Sequence, residues 1–361
     1  MFHRAYSGGA AEVAQVVGAM TALRKMSAQR DLLMVGDSKL ISYPNVTALL
    51  AAGVQFVAPC PAAQVKDDVY AALELESARL VDYTAARDAG KDPTLRAQYR
   101  LLEDTVTIKG PRKADPPVTL RRILVHSTAN ATAQRTARER KLSRAREELD
   151  TLQRNLGTRY YPDETAVAAR AAVISRNRRV GPYLHTTIGS DENGRPTLTW
   201  SFDQQAIDAE AAVDGWHCLL TNLTAQHADA EQVFLKYKGQ AGVERRYGDF
   251  KGPLAVAPMF LQDNRRITAL ITVICLALLV FCLIERQVRQ ALGDDQKMHG
   301  LYPDNRAVRP TGRLIFYHLS SLRLRVGTAT DPPTILIIRG IQAELLALLG
   351  IDETRPRWLE T

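Results

Sequence analysis

An α/β fold is what this sequence predicts, and three observations predict it. Two short apolar runs, Leu32-Leu33-Met34-Val35 and Val54-Gln55-Phe56-Val57-Ala58-Pro59, read as strands buried on both faces. Between them a helix starts near Pro44-Asn45 and runs through Leu49-Leu50 to Gly53, so that strand, helix and strand form a parallel crossover unit. The composition, 46% hydrophobic and 24% charged over 361 residues, is that of a folded globular chain with room for about two domains.

The elements follow in order. Residues 10–27 read as a helix, with Val13, Val16, Val17, Met20, Leu23 and Met26 mostly at three- and four-residue steps. The first strand ends at Gly36-Asp37-Ser38, and the second closes at Pro59. From Cys60 to Val213 the pattern changes, with strand-like runs at 105–108, 120–126, 183–188 and 198–202 and a turn-like stretch at 159–165. A charged helix over 135–154 divides them. Its first half carries Arg135, Arg138, Arg140, Lys141, Arg144 and Arg146 against Glu139 alone, and its second half is acidic. Such a run is a solvated helix face or a phosphate-facing one. Residues 216–221 read as a strand ending in Asn222, and a helix from Ala230 through Phe250 stops at Gly252-Pro253. An apolar helix over 267–284 and strand-forming runs at 314–326 and 335–338 complete the chain.

Charge and cysteine content narrow the class. A net charge of +8 invites a polyanion partner. Four scattered cysteines, Cys60, Cys218, Cys275 and Cys282, make neither a disulfide framework nor a zinc motif, which sets the expectation of a reducing, cytoplasmic location. No signal-peptide pattern is read at the N-terminus. The 18 residues 267–284, interrupted only by Thr268 and Thr272, reach the threshold length of a membrane span, but a helix apolar all round is also what a soluble core uses, and burial is the expectation.

The chemistry concentrates in Tyr237-Lys238-Gly239-Gln240-Ala241-Gly242-Val243-Glu244-Arg245-Arg246-Tyr247-Gly248-Asp249-Phe250-Lys251. Tyr237, Glu244 and Lys251 stand seven residues apart, which puts them on one stripe of a helix. A carboxylate between a phenol and an ammonium suits work beside phosphates: the acid holds a metal, the lysine phosphate oxygens, and the tyrosine stacks or donates. An exposed Glu and Lys on an ordinary helix is the plainer alternative. His3, His126 and His185 read as ordinary core or surface histidines, and Trp200 and Trp216 as core.

This segment resembles the Y-x2-R-x3-E-x6-K signature of DDE-type bacterial insertion-sequence transposases. Tyr237, Glu244 and Lys251 match, while Gln240 stands at the Arg position, so Lys238 or Arg245 would have to supply that phosphate contact. The continuation from Gly252 to Phe260, the apolar helix after it, and Asp214-Gly215 before the preceding strand are also similar to that family. Val35-Gly36-Asp37-Ser38-Lys39-Leu40 resembles the segment of its second catalytic Asp; an Asp capping the following turn is the alternative.

The resemblance implies an RNase H-like catalytic core, incomplete here, with a large mixed α+β insertion before the Glu-bearing helix. The implied divisions are residues 1–59 as partial core with the second Asp, 60–213 as insertion with the basic helix, 214–300 as the rest of the core, and 301–361 as a C-terminal tail. It implies Asp37 and Glu244 as catalytic and metal-holding residues for Mg²⁺ or Mn²⁺, and a chain acting on DNA, at element ends and target, as a homo-oligomer away from membranes. Tyr237, Lys251, Arg135, Arg138 and Arg144 are the expected DNA contacts. The family's first Asp lies upstream of the segment that Phe2-His3-Arg4-Ala5-Tyr6 resembles, so a truncated or inactive copy, or a start further upstream, is expected. A non-catalytic DNA-binding remnant and a single-span membrane protein are the alternatives.

Overall fold

The computed structural model describes residues 12–26, 31–61, 64–251, 261–293, 296–325, 334–336 and 339–352. They belong to two compact units, one over Gly9–Gln240 and one built on Ala241–Thr361.

The first unit is a mixed α/β structure. Its elements are α1 (Glu12–Met26), β1 (Leu33–Val35), α2 (Tyr43–Ala51), β2 (Gln55–Pro59), α3 (Asp67–Ala71), β3 (Arg79–Val81), β4 (Tyr99–Ile108), β5 (Val118–Ser127), α4 (Thr128–Arg154), α5 (Glu164–Arg178), β6 (Leu184–Ser190), β7 (Pro196–Phe202), α6 (Gln204–Ala212), β8 (Trp216–Thr221) and α7 (Ala230–Lys238). Six strands make one mixed sheet in the order β1-β2-β8-β5-β4-β3. β1 and β2 are parallel, as the crossover pattern predicts, and the remaining pairs are antiparallel.

Alternation along the central strands sends side chains to both faces. Val57 and Leu219 join Tyr99, Ile123, Val125 and the α7 residues Val233 and Phe234. Phe56, Ala58 and Leu220 face the other way, toward Met20 of α1 and Val46 and Leu49 of α2. Helices therefore cover both faces, which is why the strands read as continuous apolar runs.

The expected insertion over 60–213 does not stay apart from the sheet. β3, β4 and β5, all inside that range, supply half of its strands, and β4 pairs with β5 over ten residues, from Tyr99↔Ser127 to Ile108↔Val118. What lies between β5 and β8 builds its own core. Ala145, Leu149 and Leu152 of α4 pack on Val167, Ala171 and Ile174 of α5 and on Tyr183 and Leu198 around the β6–β7 hairpin. The turn-like reading over 159–165 runs two residues into α5, which Asp163 caps by accepting from the Ala166 N–H.

The second unit contains α8 (Gln240–Lys251), which begins at the last residue of the first, α9 (Asn264–Leu292), α10 (Gly312–Leu319), β9 (Arg323–Arg325), β10 (Thr334–Leu336) and α11 (Gly340–Leu348). Val288, Met298, Leu301, Ile315 and Leu345 form its core. The strand expected over 314–326 is instead helix over its first six residues: Thr311 caps α10 by accepting from the Leu314 N–H, and Ile315 and His318 turn inward at a helical spacing. Among the described residues of that run, Arg323–Arg325 alone pairs as a strand, with Thr334–Leu336.

The apolar helix corrects a second expectation. α9 has 29 residues, about 43 Å at 1.5 Å per residue, and its most apolar stretch is 6% buried. Ile274, Phe281, Glu285 and Val288 turn inward, whereas Val273, Leu276, Leu279, Val280 and Leu283 are exposed. Among the described residues this is the one helix long and apolar enough to cross a membrane.

Candidate functional site

Asp37 sits where the crossover pattern puts it, just beyond the C-terminal end of β1. The Gly36 N–H donates to the Val57 carbonyl (3.2 Å) and carries the pairing one residue past the strand. Asp37 is then extended (φ −84°, ψ −177°), and its Oδ1 accepts from the Lys39 N–H (3.0 Å), capping the single turn Ser38–Leu40. Leu40 and Ile41 bury themselves beneath that turn, which leaves the carboxylate exposed. The turn-capping alternative and the strand-end placement both hold at this residue.

Tyr237, Glu244 and Lys251 do not share one helix. The helix expected from Ala230 through Phe250 divides at Gly239, the C-cap of α7, and α8 starts at Gln240. A Cβ at Gly239 would lie 3.2 Å from the Lys236 carbonyl, so glycine suits this break. Tyr237 is half-buried against the α7 side of the sheet, while Glu244 is exposed on α8. Lys251 is the last residue of α8, and its side chain lies outside the described residues, as does that of Arg245. Lys238 points into the core: its ammonium stands 4.6 Å from the Tyr99 ring centre and 5.1 Å from that of Phe234. Burial lowers its pKa, and it is ill placed to replace the missing Arg contact. Gln240, at the Arg position, keeps a buried Oε1 with no hydrogen-bond partner.

The rotation of α8 is set by an ion cluster that the motif does not include. Both Arg246 Nη atoms donate to Glu285 of α9 (2.8 and 2.7 Å), Arg289 adds a contact at 2.6 Å, and the Gly312 N–H donates at 2.7 Å. Burial pushes the Glu285 carboxyl up, but Arg246, the Gly312 N–H and Arg289 together outweigh it and hold the group below its usual range. Glu244 lies two residues before Arg246, about 200° around the helix, so this anchor turns Glu244 away from α9.

The basic helix separates into exposed and buried arginines. Arg135 and Arg144 are exposed on α4, as a phosphate-facing role requires. Arg138 is not. It is 4% exposed and forks onto Asp214, with Nη1 donating to Oδ1 at 3.0 Å and Nη2 to Oδ2, and it also reaches Glu210 (3.3 Å). Its expected role as a DNA contact gives way to a structural one, because the guanidinium is already bound bidentately and away from solvent. Lys141 is drawn into the same cluster through the Tyr183 hydroxyl (2.9 Å) and Glu210 (3.4 Å).

This explains Asp214-Gly215. Asp214 ties β8 to α4, and Gly215 (φ +86°) makes the turn into the strand. A Cβ there would meet His126 at 2.7 Å and the Ser127 carbonyl at 2.9 Å. At the far end of β8, Thr221 donates to the Phe56 carbonyl (2.6 Å), while Asn222 accepts from the Phe56 N–H and donates to the Val54 carbonyl, both at 2.9 Å. Arg121 Nη1 holds the loop into α7 through the carbonyls of Leu223 (2.6 Å) and Ala228 (2.9 Å). Sequence reading missed Arg121 and the Arg246–Glu285 pair, whose partners lie far along the chain. His126 and Trp216 behave as expected, packed edge to face with centroids 5.1 Å apart, and burial lowers the His126 pKa. Trp200 is partly buried in the insertion core and His185 is exposed, whereas His3 lies outside the described residues.

Asp37 and Glu244 offer hard carboxylate oxygens, the donor type Mg²⁺ takes. Among the described residues, no three His, Cys, Asp or Glu side chains group closely enough to hold a metal ion. The two carboxylates lie in separate units, one after β1 and one on α8. Compared with known proteins, the chain matches no family model and no curated protein.

Proposed function

We propose that this chain is a DNA-processing protein of the DDE transposase type, built on an RNase H-like sheet interrupted by the segment between β5 and β8. The observation that carries this is Asp37 just beyond the C-terminal end of β1 in a parallel β1–α2–β2 crossover, in a chain that also holds the Tyr237, Glu244 and Lys251 spacing. Open α/β sheets place their ligands at such strand ends. β1 is also an edge of the sheet among the described residues, where the resemblance sets the strand of a further carboxylate.

Asp37 and Glu244 would hold Mg²⁺ or Mn²⁺, which supplies activation of the attacking oxygen and stabilisation of the leaving one at a phosphodiester. The exposed Arg135 and Arg144 bind backbone phosphates, and Tyr237 and Lys251 flank Glu244 in the signature. The substrate is duplex DNA, element ends and target, engaged in the cytoplasm by more than one copy of the chain. Duplex binding measured across salt concentrations tests this. Affinity should fall steeply with salt, with a slope reduced by about one for each of Arg135→Ala and Arg144→Ala. Binding that is absent at low salt, or flat across salt, overturns it.

Two further readings each have an observation in their favour. Binding without cleavage is favoured by the exposed α4 arginines, which work without a metal. A single membrane span is favoured by the exposed apolar face of α9. Recovery of the protein in a detergent-free lysate removes the last.

A further inference from the structure

We propose that Cys60 and Cys218 are a redox-modification site, which an oxidant of the peroxide class converts into a cross-strand disulfide tying β2 to β8. The register Val57↔Thr221, Ala58↔Leu220, Pro59↔Leu219 sets Cys60, one residue past β2, opposite Cys218. The Cys60 N–H donates to the Cys218 carbonyl at 2.9 Å, so the ladder continues through this pair. Opposed residues of an antiparallel pair share a face, and at a hydrogen-bonded position their Cα atoms stand about 5.5 Å apart, within the range a disulfide takes.

Both residues pack in the same small cluster with Leu124 and Trp216. Cys218 is 2% exposed, whereas Cys60 is half-buried and opens the pair toward solvent. The surroundings favour a thiolate at Cys218. The Cys60 thiol beside it and, against burial, the Tyr70 hydroxyl and the Arg122 guanidinium favour the charged form, so its pKa falls below the usual thiol range, while the Cys60 thiol donates to Gln64 Oε1 at 3.8 Å. The Cys60 thiol is pushed up in turn, first by Cys218 beside it and then by burial. Asp104 holds Arg122 in place through a bidentate pair. The other two thiols are natural controls. Cys275 and Cys282 lie seven residues apart on α9, about 10 Å along the axis and beyond disulfide reach.

The chemistry balances with hydrogen peroxide as oxidant. The Cys218 thiolate attacks one peroxide oxygen, the O–O bond breaks, and hydroxide leaves, giving a sulfenic acid. Cys60 then loses its proton and its sulfur attacks the Cys218 sulfur. The S–O bond breaks, and the departing hydroxide takes up a proton. Two thiols are oxidised by two electrons in all, and one peroxide is reduced to two waters.

The test is peptide mapping of the whole protein after peroxide treatment, unfolding and thiol alkylation. Two of the four thiols should be lost, recovered as one cross-linked pair of peptides carrying Cys60 and Cys218 and released by dithiothreitol. Oxidation should raise the thermal midpoint of the wild-type protein, and Cys60→Ser should remove that rise. Four alkylated thiols after oxidation, or a cross-link that involves Cys275 or Cys282, overturns the assignment. The wild-type map decides even where the variant does not fold.

Discussion

Replacing Arg138 with methionine separates a structural arginine from a DNA contact. The Arg138 side chain is 5% exposed and that of Asp214 11%, so their fork is a buried ion pair, while Glu210, at 43%, adds little. Removing one member of a buried pair leaves the other charge uncompensated, which costs about 3 kcal/mol at the low end of the usual range. For a unit of this size that lowers the thermal midpoint by about 6 to 12 °C. The double variant Arg138→Met, Asp214→Leu should recover much of the loss, because no charge is then stranded. The assay is thermal and urea denaturation of the four members of that cycle, together with duplex binding across salt for the folded ones. Arg138→Met should leave the salt slope unchanged. A variant of wild-type stability whose salt slope falls by about one would refute the reasoning and restore Arg138 as a phosphate contact.

Four other perturbations test the packing. Burial, with Lys238 adding to it, pushes the His217 pKa down to about 4; with an unfolded value of about 6.5 the unfolded state binds more protons in between. Stability is therefore full above about pH 6.5 and falls by up to about 3 kcal/mol as pH drops toward 4, and urea titrations of His217→Gln should show a flatter profile. Arg246→Ala removes two charge-assisted hydrogen bonds from the buried Glu285 and should cost the second unit about 2 kcal/mol in denaturant melts. On α9, Leu276→Asp should shift stability by less than about 1 kcal/mol, since the side chain is half-exposed. Phe281→Ala, buried and stacked on Phe316 at 5.2 Å, should cost about 3 kcal/mol; equal losses from the two changes would contradict the exposure assigned to Leu276.

Local pattern carried the elements whose partners are near. β1, α2 and β2 followed from apolar runs joined by a short helix, and Asp37 at the strand end came with them. Sheet membership of β3, β4 and β5 was hidden, because pairing such as Arg122↔Leu220 joins residues far apart in sequence. α5 was missed because its inward positions, Val167, Ala171 and Ile174, are diluted by outward alanines. α10 read as a strand because Leu314, Ile315, Phe316 and Tyr317 are strand formers, and the helix is decided by the Thr311 cap and by packing. Within the candidate site, the position of Asp37 was legible but the break at Gly239 was not, although its glycine was a signal for it. Arg138 looked like every other arginine of its charged run, since its burial depends on an Asp 76 residues further on.

Under the proposed function, Asp37 and Glu244 are metal-holding carboxylates of a DNA-processing site. Mn²⁺ titration of the whole protein in the presence of duplex DNA, read by electron paramagnetic resonance with Mg²⁺ as competitor, tests it most directly. Mn²⁺ should bind, Mg²⁺ should displace it, and the binding should weaken about tenfold or more in Asp37→Asn and in Glu244→Gln alike, as loss of a direct carboxylate ligand should do. Wild-type Mn²⁺ affinity in both variants would contradict it.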